Sequence, residues 1–421
     1  MKQKTIIVIG GGPAGIMAAS TAAQSGANVI LLEQNNELGK KMAITGNGRC
    51  NITNDCNTSH FIDNVLRNPR FLHTAINQFN GASIRAILKA NGLDTKVADD
   101  GRVFPATDDA KDVIRALSRH LNAAGAATML NAKVSDVSDV SCTSNADIAQ
   151  NQPPRFDIKL EDGRVLNCHK LIIATGGLSY PQTGSRGDGY NIAKALGHGI
   201  TKLHPSAVPL AVSRPDFAPL MGLCADNVAI VAKLGKRQAF RGVGSIIFTH
   251  FGISGPLVLD ASGHLAGKLL GHDFYLDFAP ALNLAQLDSF MLKIFGQNLN
   301  KSIKNCLQEH FAASLIAFLL RLADINKDTK VSEISKKARL KLIGLIKCLD
   351  IDISGTLGFG AAVATCGGVS CKEINPQTME SKIVPGLYFA GEIMDVDAKC
   401  GGYNMTIALS TGYMAGKGAC Q

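Results

Sequence analysis

The sequence predicts an α/β protein whose main domain is a Rossmann-type parallel sheet, interrupted by inserted pieces. The chain opens with an apolar, β-branched run at Lys4–Ile9, an Ala-rich helical stretch at Pro13–Ser25 and a second strand at Asn28–Leu32. This order is a βαβ unit. From about His198 the pattern changes to short β-like runs among frequent Pro and Gly, followed by a helical stretch. Strand–turn–helix texture returns at Gly355–Gln421, so one α/β domain is interrupted and then completed.

These changes of texture place the expected domain boundaries. We expect the first part of the Rossmann domain at 1–197, a β-rich, barrel-like insert at 198–282, a small helical insert at 283–350, and the return to the Rossmann domain at 351–421. A chain of 421 residues is long enough for two or three domains.

Composition favours an ordinary globular protein, with 46% hydrophobic and 18% charged residues. No unbroken apolar run approaches the roughly 20 residues that a membrane span requires. Behind the basic N-terminus the apolar stretch covers only Ile6–Ile9, which is too short for a secretory signal. We therefore expect a cytoplasmic protein without membrane association.

The eleven cysteines include no C-x-x-C pair, which argues against a zinc site and against dithiol redox chemistry. No metal site is expected. The formal net charge is +9, and residues 327–347 hold seven Lys/Arg against two acids. A solvated helix face explains this run better than a nucleic-acid site. Aromatic residues are only 5% of the chain, which argues against a nucleic-acid partner, so a small-molecule substrate is expected.

The segment Gly10-Gly11-Gly12-Pro13-Ala14-Gly15 is a G-x-G-x-x-G between a strand and a helix. The first glycine permits a tight turn, Gly12 lets the backbone approach a pyrophosphate, and Gly15 allows close packing of the helix on the strand. The helix N-terminus offers free N–H groups to phosphates. Glu33 ends the second strand about 20 residues later, where a carboxylate can bind ribose hydroxyls.

The glycine motif alone does not separate NAD from FAD, but the later elements favour FAD. Ala174–Gly177 and Gly391-Glu392 each follow an apolar strand, as in the second half of an FAD site. Gly401–Met405 then opens the last helix. The N-terminus of that helix can stabilise negative charge that develops at flavin N1 and O2 on reduction.

Several separated motifs resemble the BaiN/RdsA-type flavoproteins of the glutathione-reductase and fumarate-reductase superfamily, a family that includes aminoacetone oxidases and bile-acid enone reductases. The resemblance spans nearly the whole chain. The motifs are Gly10–Gly15, Gly46–Asn54, Ala174–Gly177, Gly184–Gly189, Phe248–Pro256, Gly391–Asp397 and Gly401–Asn404. One departure is Ser245, at a position shortly before Phe248 where the family would have an acid.

The resemblance implies an FAD domain with a β-barrel-like insert and a small helical insert. It also implies that FAD lies against residues from several stretches of the chain, including the loop of Lys40, Lys41 and Arg49 and the strand around Val134. Together with the residue patterns, the expected cofactor contacts are Gly10, Gly12, Ala14, Gly15, Glu33, Lys41, Arg49, Val134, Gly176, Gly391, Glu392, Gly402, Tyr403, Asn404 and Met405.

Substrate-facing residues are much less defined by the sequence. Tyr180, His204, His250, Cys400 and Tyr403 lie in or beside the motifs. His250 could donate a proton, although a packed, hydrogen-bonded histidine explains it better, and Cys400 is better explained as a small filler than as a nucleophile. The sequence therefore identifies no catalytic acid or base.

Three reactions remain open. The first is reduction of a small organic acceptor by NAD(P)H, with hydride passing through flavin N5. The second is oxidation of a small amine, such as aminoacetone, by O2. The third and least favoured is RNA modification, suggested by the net charge. No second G-x-G-x-x-G marks a separate nicotinamide domain, so any NAD(P)H would dock at the flavin itself. The oligomeric state is not determined by the sequence.

Overall fold

The computed structural model describes residues 4–140, 155–213 and 215–421. The chain divides into two compact units. The first unit combines Met1–Ser206 with Phe359–Gln421, and the second is Ala207–Gly358. The sequence places the limits of the insert at 198 and 350, whereas the units change at Ala207 and after Gly358.

The elements follow one another along the chain in three stretches. Before the insert they are β1 Thr5–Ile9, α1 Pro13–Gln24, β2 Asn28–Leu32, β3 Thr53–Asn54, α2 Thr58–Asp63, α3 His73–Gln78, α4 Gly81–Ala90, β4 Thr95–Val97, β5 Arg102–Pro105, α5 Ala110–Ala123, β6 Ala127–Met129, β7 Val134–Asp139, β8 Phe156–Leu160, β9 Val165–Cys168, β10 Lys170–Ile173, α6 Asp188–Ala195 and β11 His204–Ser206. The second unit contains β12 Leu210–Val212, β13 Cys224–Leu234, β14 Arg237–Phe248, β15 Gly252–Ser254, α7 Pro256–His264, β16 Asp273–Asp277, α8 Leu284–Gln297, α9 Ile303–Leu307, α10 Ala313–Ala323, α11 Lys336–Lys347, β17 Leu349–Ile351 and β18 Ile353–Thr356. The chain returns with β19 Ala364–Cys366, β20 Leu387–Phe389 and α12 Tyr403–Ala419.

The first unit is built on a parallel sheet with the strand order β20-β10-β1-β2-β6. The central strand β1 is apolar without alternation, and Ile6, Ile7 and Val8 are all fully buried. Such continuous apolar strands are typical of a parallel sheet covered on both faces. Because all five strands point the same way, their carboxyl ends share one edge of the sheet, where parallel α/β sheets bind ligands. The predicted Rossmann-type α/β fold is confirmed.

Helix α12 completes this unit by packing closely against α1. A Cβ atom on Gly412 would lie 2.3 Å from the carbonyl oxygen of Ala14, and one on Gly416 would lie 2.4 Å from that of Ala18. Only glycine allows the two helices to approach so closely. The C-terminal helix is therefore part of the same core as the N-terminal βαβ unit.

Smaller sheets surround the parallel sheet, with orders β3-β5-β4, β7-β8-β9 and β11-β19. Strands β8 and β9 form an antiparallel hairpin. Strands β6 and β7 follow each other closely in the chain. Between them Asn131 adopts a left-handed conformation with φ of 53°, which turns the chain.

The second unit contains an antiparallel sheet with the order β17-β16-β13-β14-β15-β12-β18. The two edge strands, β17 and β18, are separated in the chain by Asp352 alone. The opposite ends of the sheet must therefore approach each other, and the sheet curls as a barrel-like insert would. Buried residues of its strands and of α8, α10 and α11 share one core, so the β-rich and helical inserts form one unit.

Within the described residues, no helix is both long enough and apolar enough to cross a bilayer.

Candidate functional site

The turn between β1 and α1 shows a separate physical reason for each of its three motif glycines. Gly10 has φ of +108°, and a Cβ there would lie 2.5 Å from the carbonyl oxygen of Ala174. A Cβ on Gly15 would lie 1.8 Å from the carbonyl oxygen of Gly10. Gly12 has open space where its side chain would be, with no atom within 4 Å. Two glycines are therefore required by packing, and the third leaves the backbone accessible.

This turn presents hydrogen-bond donors that the protein does not use. The main-chain N–H groups of Gly12, Ala14 and Gly15 have no acceptor among the described residues. Pro13 at the first helical position has no N–H, and no side chain caps the helix. Free N–H groups at the positive end of a helix dipole form a binding site for a phosphate or pyrophosphate.

Glu33 lies at the end of β2, next to this turn. Its side chain is 7% exposed, and Oε2 accepts a hydrogen bond of 2.6 Å from the N–H of Gly11. Oε1 accepts from the N–H and the side-chain amide of Asn35, at 2.8 and 2.7 Å. A carboxylate offers about four acceptor positions, so one position on Oε2 is left for a ligand hydroxyl.

Lys41 and Glu392 are brought together from opposite ends of the chain. The Lys41 ammonium lies 2.6 Å from Glu392 Oε2 and also donates to Ser179 Oγ. Glu392 Oε1 accepts from Ser179 Oγ at 2.6 Å and from the N–H of Thr365 at 2.8 Å. Burial alone would raise the pKa of Glu392, but the charge of Lys41 and these hydrogen bonds outweigh burial and lower it. Glu392 is therefore an ionised, firmly oriented carboxylate.

The glycines after β10 and β20 also fill sites that a side chain could not. Gly176 has φ of +74°, and a Cβ there would lie 2.7 Å from Ser185 Oγ. Gly391 has φ of +79°, and its Cβ would lie 2.8 Å from that of Ala14, at the start of α1. Thr175 Oγ1, between these turns, is buried and has no hydrogen-bond partner. The ends of β1, β10 and β20 thus meet in closely packed turns.

Gly402 lies at the N-terminus of α12, with φ of +92°. A Cβ there would lie 2.4 Å from the carbonyl group of Thr53. The neighbouring strand β3 therefore leaves room only for glycine at this position. The N–H groups of Asn404 and Met405, in the first turn, have no acceptor among the described residues. This end of α12 can stabilise a negative charge.

Two other expected contacts at this helix have their side chains occupied by the protein. The Asn404 side chain accepts from the N–H of Ala398 at 2.9 Å and donates to its carbonyl at 2.8 Å. The Tyr403 ring is buried and packs edge-on against Phe61, with ring centroids 5.3 Å apart. Both side chains therefore make contacts within the protein.

The remaining expected contacts lie in different environments, some exposed and some buried. Arg49 is exposed, and its guanidinium stacks over the ring of Phe104 at 4.6 Å. Lys40 lies beside Asn35, with its ammonium 3.5 Å from the amide oxygen. Val134 is buried at the start of β7, paired with Leu160.

The substrate-facing candidates are spread over both units. His250 belongs to the second unit, where it is exposed and lies edge-on to Phe251. His204, in β11, pairs with Cys366, and burial lowers its pKa. Tyr180 has φ of 50°, and its N–H donates to the carbonyl of Phe359. Cys400 is partly buried. A packed histidine, the preferred interpretation of His250, is therefore not what the structure shows.

Two buried acids, Asp395 and Asp397, had no predicted role, although both lie in a family motif. They are 8% and 0% exposed. Ser206 donates to Asp397 at 2.6 Å, and Oδ1 of each acid has no hydrogen-bond partner. The signal that could have identified them was the pair of acids in an otherwise apolar run, Ile393–Ala398.

The arrangement fits an FAD molecule. Unused N–H groups at α1, a vacant acceptor position on Glu33 and unused N–H groups at α12 match its pyrophosphate, ribose and flavin ring in chemistry. When bound, FAD supplies two-electron hydride chemistry. The protein supplies placement and electrostatics.

Comparison with known proteins identifies the family of this chain. The family model described as "HI0933-like protein Rossmann domain" matches residues 4–418. The 3-dehydro-bile acid delta(4,6)-reductase of Clostridium scindens is 33% identical, over 98% of each chain. The ribosomal RNA dihydrouridine synthase of Escherichia coli is 29% identical, over 98% of this chain and 97% of the relative.

Among solved structures, 3-ketosteroid-delta4-(5alpha)-dehydrogenase of Rhodococcus jostii superposes with a TM-score of 0.52 at 15% identity, covering 100% of this chain and 97% of that one. This similarity concerns the fold. The family resemblance found in the sequence motifs is confirmed by the match over nearly the whole chain. The chain belongs to the HI0933-like family of Rossmann-domain, FAD-binding oxidoreductases.

Proposed function

We propose that this protein reduces a carbon–carbon double bond that is activated by a neighbouring carbonyl group, with NAD(P)H as the hydride donor and flavin N5 as the carrier. The two relatives support this class of acceptor. One is named as a delta(4,6)-reductase of a 3-dehydro-bile acid and the other as a synthase of dihydrouridine. Both names describe the addition of hydrogen to a double bond.

The observation that carries the proposal is that two sets of unused main-chain N–H donors lie in the first unit. The set at Gly12, Ala14 and Gly15 suits a pyrophosphate, and the set at Asn404 and Met405 suits a negatively charged flavin edge. A reduced flavin carries such a charge, so donors placed beforehand at a helix N-terminus favour reduction of the cofactor.

In this proposal, residues at the strand and helix ends of the first unit would hold FAD. Glu33 would bind the ribose, Lys41 would orient Glu392, and Glu392 would face the ribityl chain. The full set of proposed contacts is Gly10, Gly12, Ala14, Gly15, Glu33, Lys41, Arg49, Val134, Gly176, Gly391, Glu392, Gly402, Tyr403, Asn404 and Met405. We further propose that the protein works in the cytoplasm, where thiols such as those of Cys50 and Cys168 would stay reduced.

An anaerobic titration of the purified protein tests the donor. NADH, NADPH and aminoacetone are added separately while flavin absorbance is followed near 450 nm, roughly where oxidised flavin absorbs. We expect bleaching by a nicotinamide and not by the amine. Bleaching by aminoacetone alone would refute the reductase and favour an oxidase.

A second candidate acceptor is uracil in RNA. The net charge of +9 and the 29% identity to an RNA-modifying relative favour it, although the low aromatic content of the sequence argues against a nucleic-acid partner. The reduced protein is offered a steroid enone or purified ribosomal RNA, and reoxidation of the flavin is followed. Reoxidation by RNA that weakens steeply with added salt would select RNA. Reoxidation by the enone alone would select a small molecule.

Glu33→Ala tests the cofactor site independently of the acceptor. We expect it to lose FAD on dilution, because the ribose acceptor and three internal hydrogen bonds are removed. Glu37→Ala is the matched control, since Glu37 is exposed in the same loop. Equal FAD retention by the two variants would contradict the ribose assignment.

A further inference from the structure

Asp397 is a fully buried carboxyl group with only one of its oxygens hydrogen-bonded. Oδ2 accepts from Ser206 Oγ at 2.6 Å. Oδ1 has no hydrogen-bond partner and lies 3.8 Å from Nε of Arg67, beyond hydrogen-bond distance. A buried carboxylate is normally satisfied at both oxygens. Asp397 therefore has a position where a proton can be held.

The groups around Asp397 come from three elements and carry opposing charges. Asp395 and Glu392 lie on its own segment, Cys366 faces it from β19, and Arg67 approaches from the segment after α2. Burial, with a smaller effect of the charges of Asp395 and Glu392, raises the pKa of Asp397 to about 6 against the opposing effects of Ser206 and Arg67. The Arg67 side chain, whose Nε lies 3.8 Å from the buried Oδ1, is 35% exposed and therefore borders solvent.

The same segment is clamped to the start of α12. The carbonyl of Asp397 accepts from the N–H of Leu66 at 2.9 Å. The next residue, Ala398, is held at both its N–H and its carbonyl by the side chain of Asn404, in the first turn of α12. Asp397 therefore directly precedes the residue that is bonded to the first turn of α12, where the N–H groups of Asn404 and Met405 are unused. A negative charge added at this end of α12 would disfavour the ionised form of the buried Asp397 carboxyl group.

We propose that Asp397 is a proton acceptor coupled to reduction of the cofactor: when negative charge is added at the N-terminus of α12, its carboxylate takes up one proton from solvent. The inference rests on the proposed function only in that FAD is bound there. An external reductant supplies the electrons, which end on the cofactor. Asp397 gains a proton at Oδ1 and becomes a neutral acid, and no other bond at Asp397 changes.

The test is the reduction potential of the bound flavin as a function of pH, measured with dithionite and reference dyes between pH 5 and 9. Uptake of one additional proton changes the equilibrium tenfold per pH unit, which is about 30 mV for a two-electron couple. We expect the reduction potential of the wild-type protein to fall by this additional amount per pH unit over a range of pH that starts near the pKa of Asp397. Asp397→Asn should lack the steeper window. Asp226→Asn is the control, because Asp226 also accepts from a serine, Ser245, but is exposed in the second unit.

Ser206→Ala keeps the carboxyl and removes the hydrogen bond that favours its ionised form. We expect the steep window to move to higher pH in this variant, and this result decides the matter if Asp397→Asn does not retain flavin. Superimposable potential–pH curves for wild type and Asp397→Asn, or an unmoved window in Ser206→Ala, would overturn the proposal. Dithionite requires neither nicotinamide nor acceptor, so failure of NAD(P)H to reduce the protein would refute the proposed function and leave this test intact.

Discussion

Replacing Asp397 with asparagine should change how the stability of the protein depends on pH. The folded state raises the pKa of this carboxyl from 3.8 to about 6. The folded protein therefore holds the proton more tightly than the unfolded chain, and stability falls as pH rises through this window. Asparagine is neutral at every pH and removes this dependence.

The magnitude follows from the shift. Each pKa unit corresponds to about 1.4 kcal/mol, so a shift of roughly two units lowers the free energy of unfolding by about 3 kcal/mol at pH above the folded-state value. At pH 4.5 the unfolded chain has already lost part of its proton. About 2 kcal/mol of the effect should therefore appear between pH 4.5 and pH 8. Full burial of the side chain means that solvent screening does not reduce this figure.

Urea unfolding followed by circular dichroism, across that pH range, measures the effect. The difference in unfolding free energy between Asp397→Asn and wild type should move in favour of the variant by about 2 kcal/mol from pH 4.5 to pH 8. Asp226→Asn, at an exposed aspartate, should show no comparable trend. Parallel profiles for Asp397→Asn and wild type would refute the reasoning.

Three further substitutions test the packing of the site. In Gly15→Ala the new Cβ would lie 1.8 Å from a carbonyl oxygen, so the urea midpoint should fall and the free energy of unfolding should drop by about 3 kcal/mol. The control Gly344→Ala, which has open space in α11, should raise the free energy of unfolding by up to about 1 kcal/mol. Unchanged stability of Gly15→Ala would contradict the turn geometry. Lys41→Met leaves the partly buried Glu392 without its cation and should lower the free energy of unfolding by about 2 kcal/mol at pH 7. The loss should be smaller at acidic pH, because the lowered pKa of Glu392 stabilises the fold only while this carboxyl is ionised. A loss that does not depend on pH in urea unfolding would contradict this pair. Gly402→Ala should lower the melting temperature because its Cβ would lie 2.4 Å from a carbonyl group of β3, and an unchanged melting temperature would contradict this contact.

The features that could be predicted from the sequence depend on residues close together in the chain. The βαβ opening, its glycine turn and the acid at the end of β2 occupy one short stretch, and the reason for each glycine could be stated before the structure was known. Gly15 is the clearest example, because the close approach of helix and strand that it permits is a property of the motif itself.

What the sequence could not predict depends on contacts between distant segments. Lys41 was expected in a loop that contacts FAD, and its partner Glu392 lies 351 residues away in the chain. Asn404 was expected to contact the cofactor, and its side chain also holds Ala398. Neither pairing leaves a local pattern. The burial of Asp397 was missed for the same reason, since Ser206 and Arg67 are remote from it in the chain.

The position of β20 and α12 has a consequence for the synthesis of the protein on the ribosome. β20 is the edge strand of the parallel sheet next to β10, and α12 packs against α1, yet both are translated after the whole second unit. Until they emerge, the nascent first unit has an unpaired sheet edge at β10 and an uncovered helix face, which are features that attract chaperones and promote aggregation. Maturation of the nucleotide-binding half must therefore wait for the last stretch of the polypeptide, whereas Ala207–Gly358 is already complete by then.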